Sequence, residues 1–151
     1  MDTTEARNKL MRYCAYQERS QKEVRQKLYD LGIYYEQAEE LIAELISENF
    51  LNEERFAKAY AGGKFRVKKW GRNKIQLGLK QHDISEYCIQ KSLQEIDQQD
   101  YLETLERMVS TKNEQLNEAN DFVRRNKLAK HAISKGYEPD LVWGIVKSLV
   151  E

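Results

Sequence analysis

The stretch Lys64-Phe65-Arg66-Val67-Lys68-Lys69-Trp70-Gly71-Arg72-Asn73-Lys74 puts six cations and two aromatic rings into eleven residues. Lysine and arginine at this density suit one chemistry, the neutralisation of an anionic surface made of phosphates or clustered carboxylates. Residues 55–82 hold nine cations and no acid, whereas residues 1–54 carry 7 cations against 12 acids and residues 83–151 carry 9 against 13. The zero net charge of the chain therefore hides a basic centre of +9 between flanks of −5 and −4. That centre predicts an anionic partner.

On a helical wheel of about 100° per residue, Phe56, Tyr60, Gly63, Val67 and Trp70 share the sector expected to face the core. Phe65 falls opposite, beside Lys58, Lys69 and Ala61. Either it stacks on a base or anchors a protein contact, or it packs against a neighbouring helical unit. Gly71 is expected to break the helix and turn Arg72 and Lys74 toward Lys58, Lys64, Arg66, Lys68 and Lys69, so that cations converge on one surface. Arg124, Arg125, Lys127 and Lys130 form a second, weaker cluster that extends the patch. The alternative is an ordinary solvated basic face, in which nine cations would repel one another without compensation.

Nothing comparable points to catalysis. His82 shares a stripe with Ile75 and Leu79, His131 sits among lysines, and neither has a constellation of partners. Nucleophile, phosphate-loop and zinc-binding motifs are missing, so a binding protein without cofactor or metal is expected. Cys14 and Cys88 lack paired spacing and lie on apolar stripes, as reduced core thiols do.

The elements that carry these residues read as helices throughout. One proline and seven glycines leave few breaks, and runs of β-branched residues that mark strands do not occur. Ser20-Gln21-Lys22-Glu23 is a capping box, and Gly32 suits the left-handed position just past a helix end. Aligning Gly32, Asp83 and Gly136 brings six sets of three apolar residues into register. They are Val24, Ile75 and Leu128; Leu28, Leu79 and Ala132; Ile33, Ile84 and Tyr137; Ala38, Ile89 and Val142; Ile42, Leu93 and Val146; and Leu45, Ile96 and Leu149. The offsets of 51 and 53 residues mark an internal repeat.

The expectation is thus an all-α protein of three tandem three-helix, helix-turn-helix-like repeats at residues 1–48, 49–98 and 99–151, stacked as an elongated array, straight or curved. In the third repeat a helix over 100–111, a linker over 112–117 and a long charged helix ending at Ser134 are expected, with Pro139 in the first turn of the last helix. No stretch reaches the roughly 20 apolar residues of a membrane span, and the N-terminus lacks the apolar core of a signal peptide, so a cytoplasmic location is expected; a monomer is expected as well.

Three sequence blocks carry a resemblance. Arg19-Ser20-x-x-Glu23-Val24 through Leu28, Leu31 and Gly32 is the first, and Phe50-Leu51-Asn52-Glu53-Glu54-Arg55-Phe56-Ala57 is the second. The third is Trp70-Gly71 with Ile75, Leu79 and Ile84. Together they resemble the RecX family of recombination regulators. The chain departs from that family where Asn52-Glu53 replaces an acidic pair and Asp83 replaces a glycine. The resemblance implies a protein that lodges in the groove of the RecA recombinase filament and restrains its ATPase, strand exchange or growth in DNA repair. Single- or double-stranded DNA is a further expected contact, and a direct DNA-binding regulator is the competing reading.

Overall fold

The computed structural model describes all 151 residues, and every regular element is an α-helix. The order is α1 (Thr3–Tyr16), α2 (Gln21–Asp30), α3 (Tyr35–Ser47), α4 (Glu53–Lys68), α5 (Arg72–Gln81), α6 (Glu86–Gln94), α7 (Gln98–Gln115), α8 (Asp121–Ser134) and α9 (Pro139–Leu149). Local chemistry starts most of them. Ser20 accepts from the Glu23 amide while the Glu23 carboxylate accepts from the Ser20 amide, so two orphan donors of α2 are satisfied reciprocally. Asp2, Asn52, Asp97 and Asn120 cap α1, α4, α7 and α8 with side-chain oxygens. Pro139 opens α9, where its missing N–H leaves no helical bond unmade.

One turn recurs three times. Gly32, Asp83 and Gly136 adopt φ of 81°, 60° and 102°. After each, an amide reaches back five residues: Ile33 to the Leu28 carbonyl, Ile84 to Leu79 and Tyr137 to Ala132. This is the Schellman arrangement, in which a left-handed residue lets two amides close the last helical turn. Aspartate tolerates that conformation better than most L-residues, which accounts for Asp83 at a glycine position. Every apolar residue of the sequence alignment is buried except Leu149, which is 39% exposed.

α7 is longer than its sequence suggested. It runs four residues past Thr111, and the linker narrows to residues 116–120 before α8. Lys112 to Gln115 are mostly straight-chain residues with no glycine or proline to stop a helix.

The chain divides into two compact units, residues 1–60 with 79–92 and residues 61–78 with 93–151. The core of the first includes Ala6, Leu10, Val24, Leu28, Leu41, Ile42 and Leu45. Partly exposed polar groups pair around that core: Arg7 with Glu44 at 2.6 Å and Arg55 with Glu18 at 2.7 Å, while His82 Nδ1 lies 3.1 Å from the buried Ser20 Oγ with its ring against Phe56 and Tyr60. In the second unit, Ile75, Tyr101, Leu105, Val109, Leu128, Ala132, Tyr137, Val142 and Val146 are buried.

Both cysteines are buried and unpaired by disulfide. Burial pushes the Cys14 thiol up to about 11. The thiolate is the nucleophile, so alkylation of Cys14 near neutral pH should run about 100-fold slower in the native protein than in urea. Mass-spectrometric labelling rates at Cys14 in the two states check this; equal rates would contradict the packing.

Candidate partner-binding site

The basic stretch begins on α4, whose buried face differs from the one its helical wheel suggested. Phe56, Ala57 and Ala61 are buried, but Val67 is 77% exposed. Phe65 turns inward, half-buried, with its ring centroid 5.8 Å from that of the fully buried Tyr101 on α7. Trp70 is half-buried rather than in the core. At Trp70 the wheel fails for a definite reason: α4 stops at Lys68 and Lys69 takes a φ of 61°, so positions beyond it no longer follow helical geometry. Lys69, not Gly71, makes the break.

Gly71 serves another purpose. A Cβ on it would lie 2.4 Å from both the Gly136 carbonyl carbon and the Tyr137 amide nitrogen, so only glycine allows the two backbones to touch. The contact is hydrogen-bonded: the Gly71 amide donates to the Lys135 carbonyl at 2.8 Å and the Asn73 amide to the Gly136 carbonyl at 2.9 Å. The Tyr137 hydroxyl adds a bond to the Lys69 carbonyl at 2.8 Å. Residues 69–73 are thereby clamped to the turn between α8 and α9.

A charged network completes the clamp. The Arg72 guanidinium lies 3.8 Å over the Tyr101 ring, pairs with Glu138 at 2.8 Å and donates to Gln98 at 2.5 Å. The Arg72 amide donates to the Tyr101 hydroxyl at 2.9 Å, and that hydroxyl donates to Glu138. Burial, together with the bond to Glu138, raises the Tyr101 hydroxyl pKa far above its ordinary value, and burial pushes Tyr137 up to about 12. Both stay protonated donors at any physiological pH.

The remaining cations of the stretch face outward or onto an aromatic surface. Arg66, Lys68 and Lys69 are exposed, with the Lys69 ammonium bonded to the Arg66 carbonyl at 2.8 Å. Lys64 and Lys74 place their ammonium groups 4.9 and 4.8 Å from the centre of the Trp70 ring, a cation–π arrangement that holds two charges close together. Lys58 belongs to the first unit and pairs with Glu54 at 3.3 Å.

Lys69 also borders two clefts along α7. One, of about 250 Å³, is lined by Phe65, Arg66, Lys69, Thr104 and Arg107 with Asp100 and Glu103. The other, of about 320 Å³, is lined by Lys69, Arg107, Met108, Lys112 and His131 with Thr104, Thr111 and Gln115, and none of these is a carboxylate. Burial first, then Lys112 and Lys135, lower the His131 pKa, so its ring favours the neutral form in a positive surrounding. Arg107 and Lys112 escaped the sequence reading because they stand singly among the acids of α7. The available signal was their helical spacing with Thr104, Met108, Thr111 and Gln115.

The second cluster is held by its own chain. Arg124 makes five hydrogen bonds: two to Asn113, one to the Leu116 carbonyl and two to the Glu118 carbonyl. Arg125 donates to the Val150 carbonyl at 3.3 Å, Lys127 pairs with Glu118 at 3.0 Å, and Lys130 is exposed. Arg124 thus closes the linker between α7 and α8. Arg124→Ala should cost about 2 kcal/mol and lower the melting temperature by about 4–8 °C, while Lys130→Ala should stay within about 0.5 kcal/mol of the parent. Thermal unfolding followed by circular dichroism compares the two; equal stability would contradict the clamp.

Comparison with known proteins now decides the lineage. Residues 6–45 match the family model of the first three-helix domain of RecX, and residues 52–93 match that of its second three-helix domain. The chain belongs to the RecX family. The regulatory protein RecX of Clostridium perfringens (strain 13 / Type A) is 32% identical over 133 residues, covering 87% of this chain and 62% of that protein. RecX of Lactobacillus johnsonii is 30% identical over 131 residues, 87% of this chain and 48% of that protein. RecX of Prosthecochloris aestuarii is 28% identical over 143 residues, 93% and 91% of the two chains. The chain therefore spans about half to three-fifths of the first two relatives and nearly all of the third. A crystal structure of RecX from Lactobacillus salivarius superposes with a TM-score of 0.86 at 22% identity, covering 97% of this chain and 96% of that one, which shows a shared RecX fold. No helix is long and apolar enough to cross a membrane.

Proposed function

We propose that this chain regulates DNA recombination by binding the RecA recombinase filament and restraining its ATPase, strand exchange or extension. The observation that carries the reading is the acid-free basic stretch, whose exposed cations Arg66, Lys68 and Lys69 stand on a segment clamped to the rest of its unit. Rigid presentation matters because ordering a loose basic loop on binding would offset part of the electrostatic gain. A filament offers anions of two kinds, acidic protein side chains and the phosphates of its DNA. The three-helix units serve as copies of one scaffold, α1–α3, α4–α6 and α7–α9, with the middle copy supplying the anion contact. Family membership supports the regulatory role.

Direct DNA binding is the second reading, favoured by the recurrence of one helix–turn–helix geometry at Gly32, Asp83 and Gly136. Fluorescence anisotropy of the labelled chain separates the two, with RecA assembled on single-stranded DNA in one titration and the same DNA naked in the other. The filament reading expects binding to the filament at least about tenfold tighter. Tighter binding to naked DNA, with a log–log salt slope near about −5 as six phosphate contacts would give, would replace it with the DNA reading.

A further inference from the structure

The turn between α2 and α3 exposes three tyrosines that neither the fold nor the basic stretch employs. Tyr29, Tyr34 and Tyr35 are 63%, 46% and 88% exposed. Tyr29 and Tyr34 meet edge to face with centroids 5.0 Å apart, and Tyr34 and Tyr35 lie 6.3 Å apart. Together with Arg25, Ile33, Ala38 and Glu39 they line a cleft of about 240 Å³ within the first unit.

The local backbone is less stable than it needs to be. Tyr34 occupies the N-cap of α3 and makes no side-chain cap bond. At the matching position before α6, Ser85 accepts from the Cys88 amide. Tyr35 begins α3 with a φ of +52°, a conformation rare for a bulky L-residue, whereas Pro139 begins α9. Serine at position 34 and almost any residue with negative φ at position 35 would suit the helix better. Exposed aromatic rings held at the expense of a cap and a relaxed backbone are a mark of a binding surface.

Charge identifies the occupant. α3 carries Glu36, Glu39, Glu40 and Glu44 and no cation; Glu39 and Glu44 pair with Arg25 and Arg7, which leaves Glu36 and Glu40 on the helix, and Asp30 adjoins Tyr29. Arg25, the one cation lining the cleft, is bound to Glu39 by two hydrogen bonds of 2.7 and 3.2 Å, so its charge is already matched. A phosphate backbone would be repelled here, whereas a guanidinium stacks on tyrosine and finds carboxylates beside it. We infer that the tyrosine turn docks arginine side chains of a basic protein segment, so that the first unit provides a contact face of opposite electrostatic character to residues 64–74. This inference stands without the recombinase reading.

The test is an amide-resolved NMR titration of the full chain with the peptide acetyl-Gly-Arg-Gly-Arg-Gly-amide and with its citrulline counterpart, which keeps the shape and removes the charge. Saturable shifts at residues 29–39 with the arginine peptide, at least tenfold weaker with citrulline, are expected. Tyr34→Ser and Tyr35→Gly should each weaken the arginine peptide at least fivefold while holding or raising the melting temperature, so a lost interaction is not a lost fold. Equal binding of the two peptides, undiminished binding to both variants, or stronger shifts of these amides with a single-stranded oligonucleotide would overturn the inference. So would shifts of the same amides with protein concentration alone, which would make a second copy the occupant.

Discussion

Reversing two exposed charges at once, Lys68→Glu with Lys69→Glu, should weaken binding to the RecA filament about 100-fold at about 0.1 M salt. Each reversal changes the local charge by two, so the +9 of residues 55–82 falls to +5. A 100-fold loss corresponds to about 2.7 kcal/mol, within the range for several desolvated or partly desolvated charge contacts at an interface. The deficit should appear mainly in the association rate and shrink as salt is raised, because exposed charges act over about one Debye length. Both side chains are exposed, and the Lys69 bond to Tyr137 uses the main-chain carbonyl, so the melting temperature should move little. Surface plasmon resonance on immobilised filaments at two salt concentrations measures this. Unchanged affinity would remove the basic stretch from the mechanism.

The second large effect concerns the clamp beneath that stretch. Gly136→Ala should destabilise the protein by about 3 kcal/mol or more and lower the melting temperature by roughly 6–12 °C. Two causes combine. The residue sits at a φ of 102°, where a Cβ is strained, and that Cβ would lie 2.4 Å from Lys74 Cβ and 2.6 Å from the Lys74 amide nitrogen. Backbone atoms cannot move aside without breaking the bonds that hold residues 71–73, so the same change should also disturb the Lys74 cation beside Trp70. Gly144 gives the control. It lies inside α9 with nothing within 4 Å of a would-be Cβ, so Gly144→Ala should stabilise by about 0.5–1 kcal/mol through helix propensity. Opposite signs for the two glycines in thermal unfolding are the expected result; a neutral Gly136→Ala would contradict the close approach.

These effects trace which parts of the molecule are written locally in the chain. The capping box at Ser20, the cap at Asn52, the left-handed turns at Gly32 and Gly136 and the proline at α9 each depend on neighbours within five residues, so their residue types announce them. The repeat register found the burial of its apolar positions for the same reason, since a helical stripe has a fixed period. The basic stretch was visible as composition, but its state was not. Arg72 meets Glu138 across 66 positions, Gly71 meets Gly136 across 65, and Phe65 finds Tyr101 across 36. No periodicity encodes such pairings. A sequence census counts Arg72 and Arg124 as available cations, whereas the fold commits one to Glu138 and the other to the carbonyls that end α7. The α4 wheel failed at Trp70 because the break came at a lysine, a residue type that does not advertise a left-handed φ, and at Val67, still inside the helix, because α4 buries the side carrying Ala57, Ala61 and Phe65 instead.

The most direct test of the central claim is the rate of single-stranded-DNA-dependent ATP hydrolysis by RecA as this protein is titrated, with the Lys68→Glu, Lys69→Glu double variant in parallel. Inhibition should saturate below one protein per RecA monomer, as groove binding or end capping of a filament would give, with the curve for the variant displaced to about 100-fold higher concentration. An ATPase rate unaffected by the parent protein at concentrations that saturate DNA binding would contradict that claim.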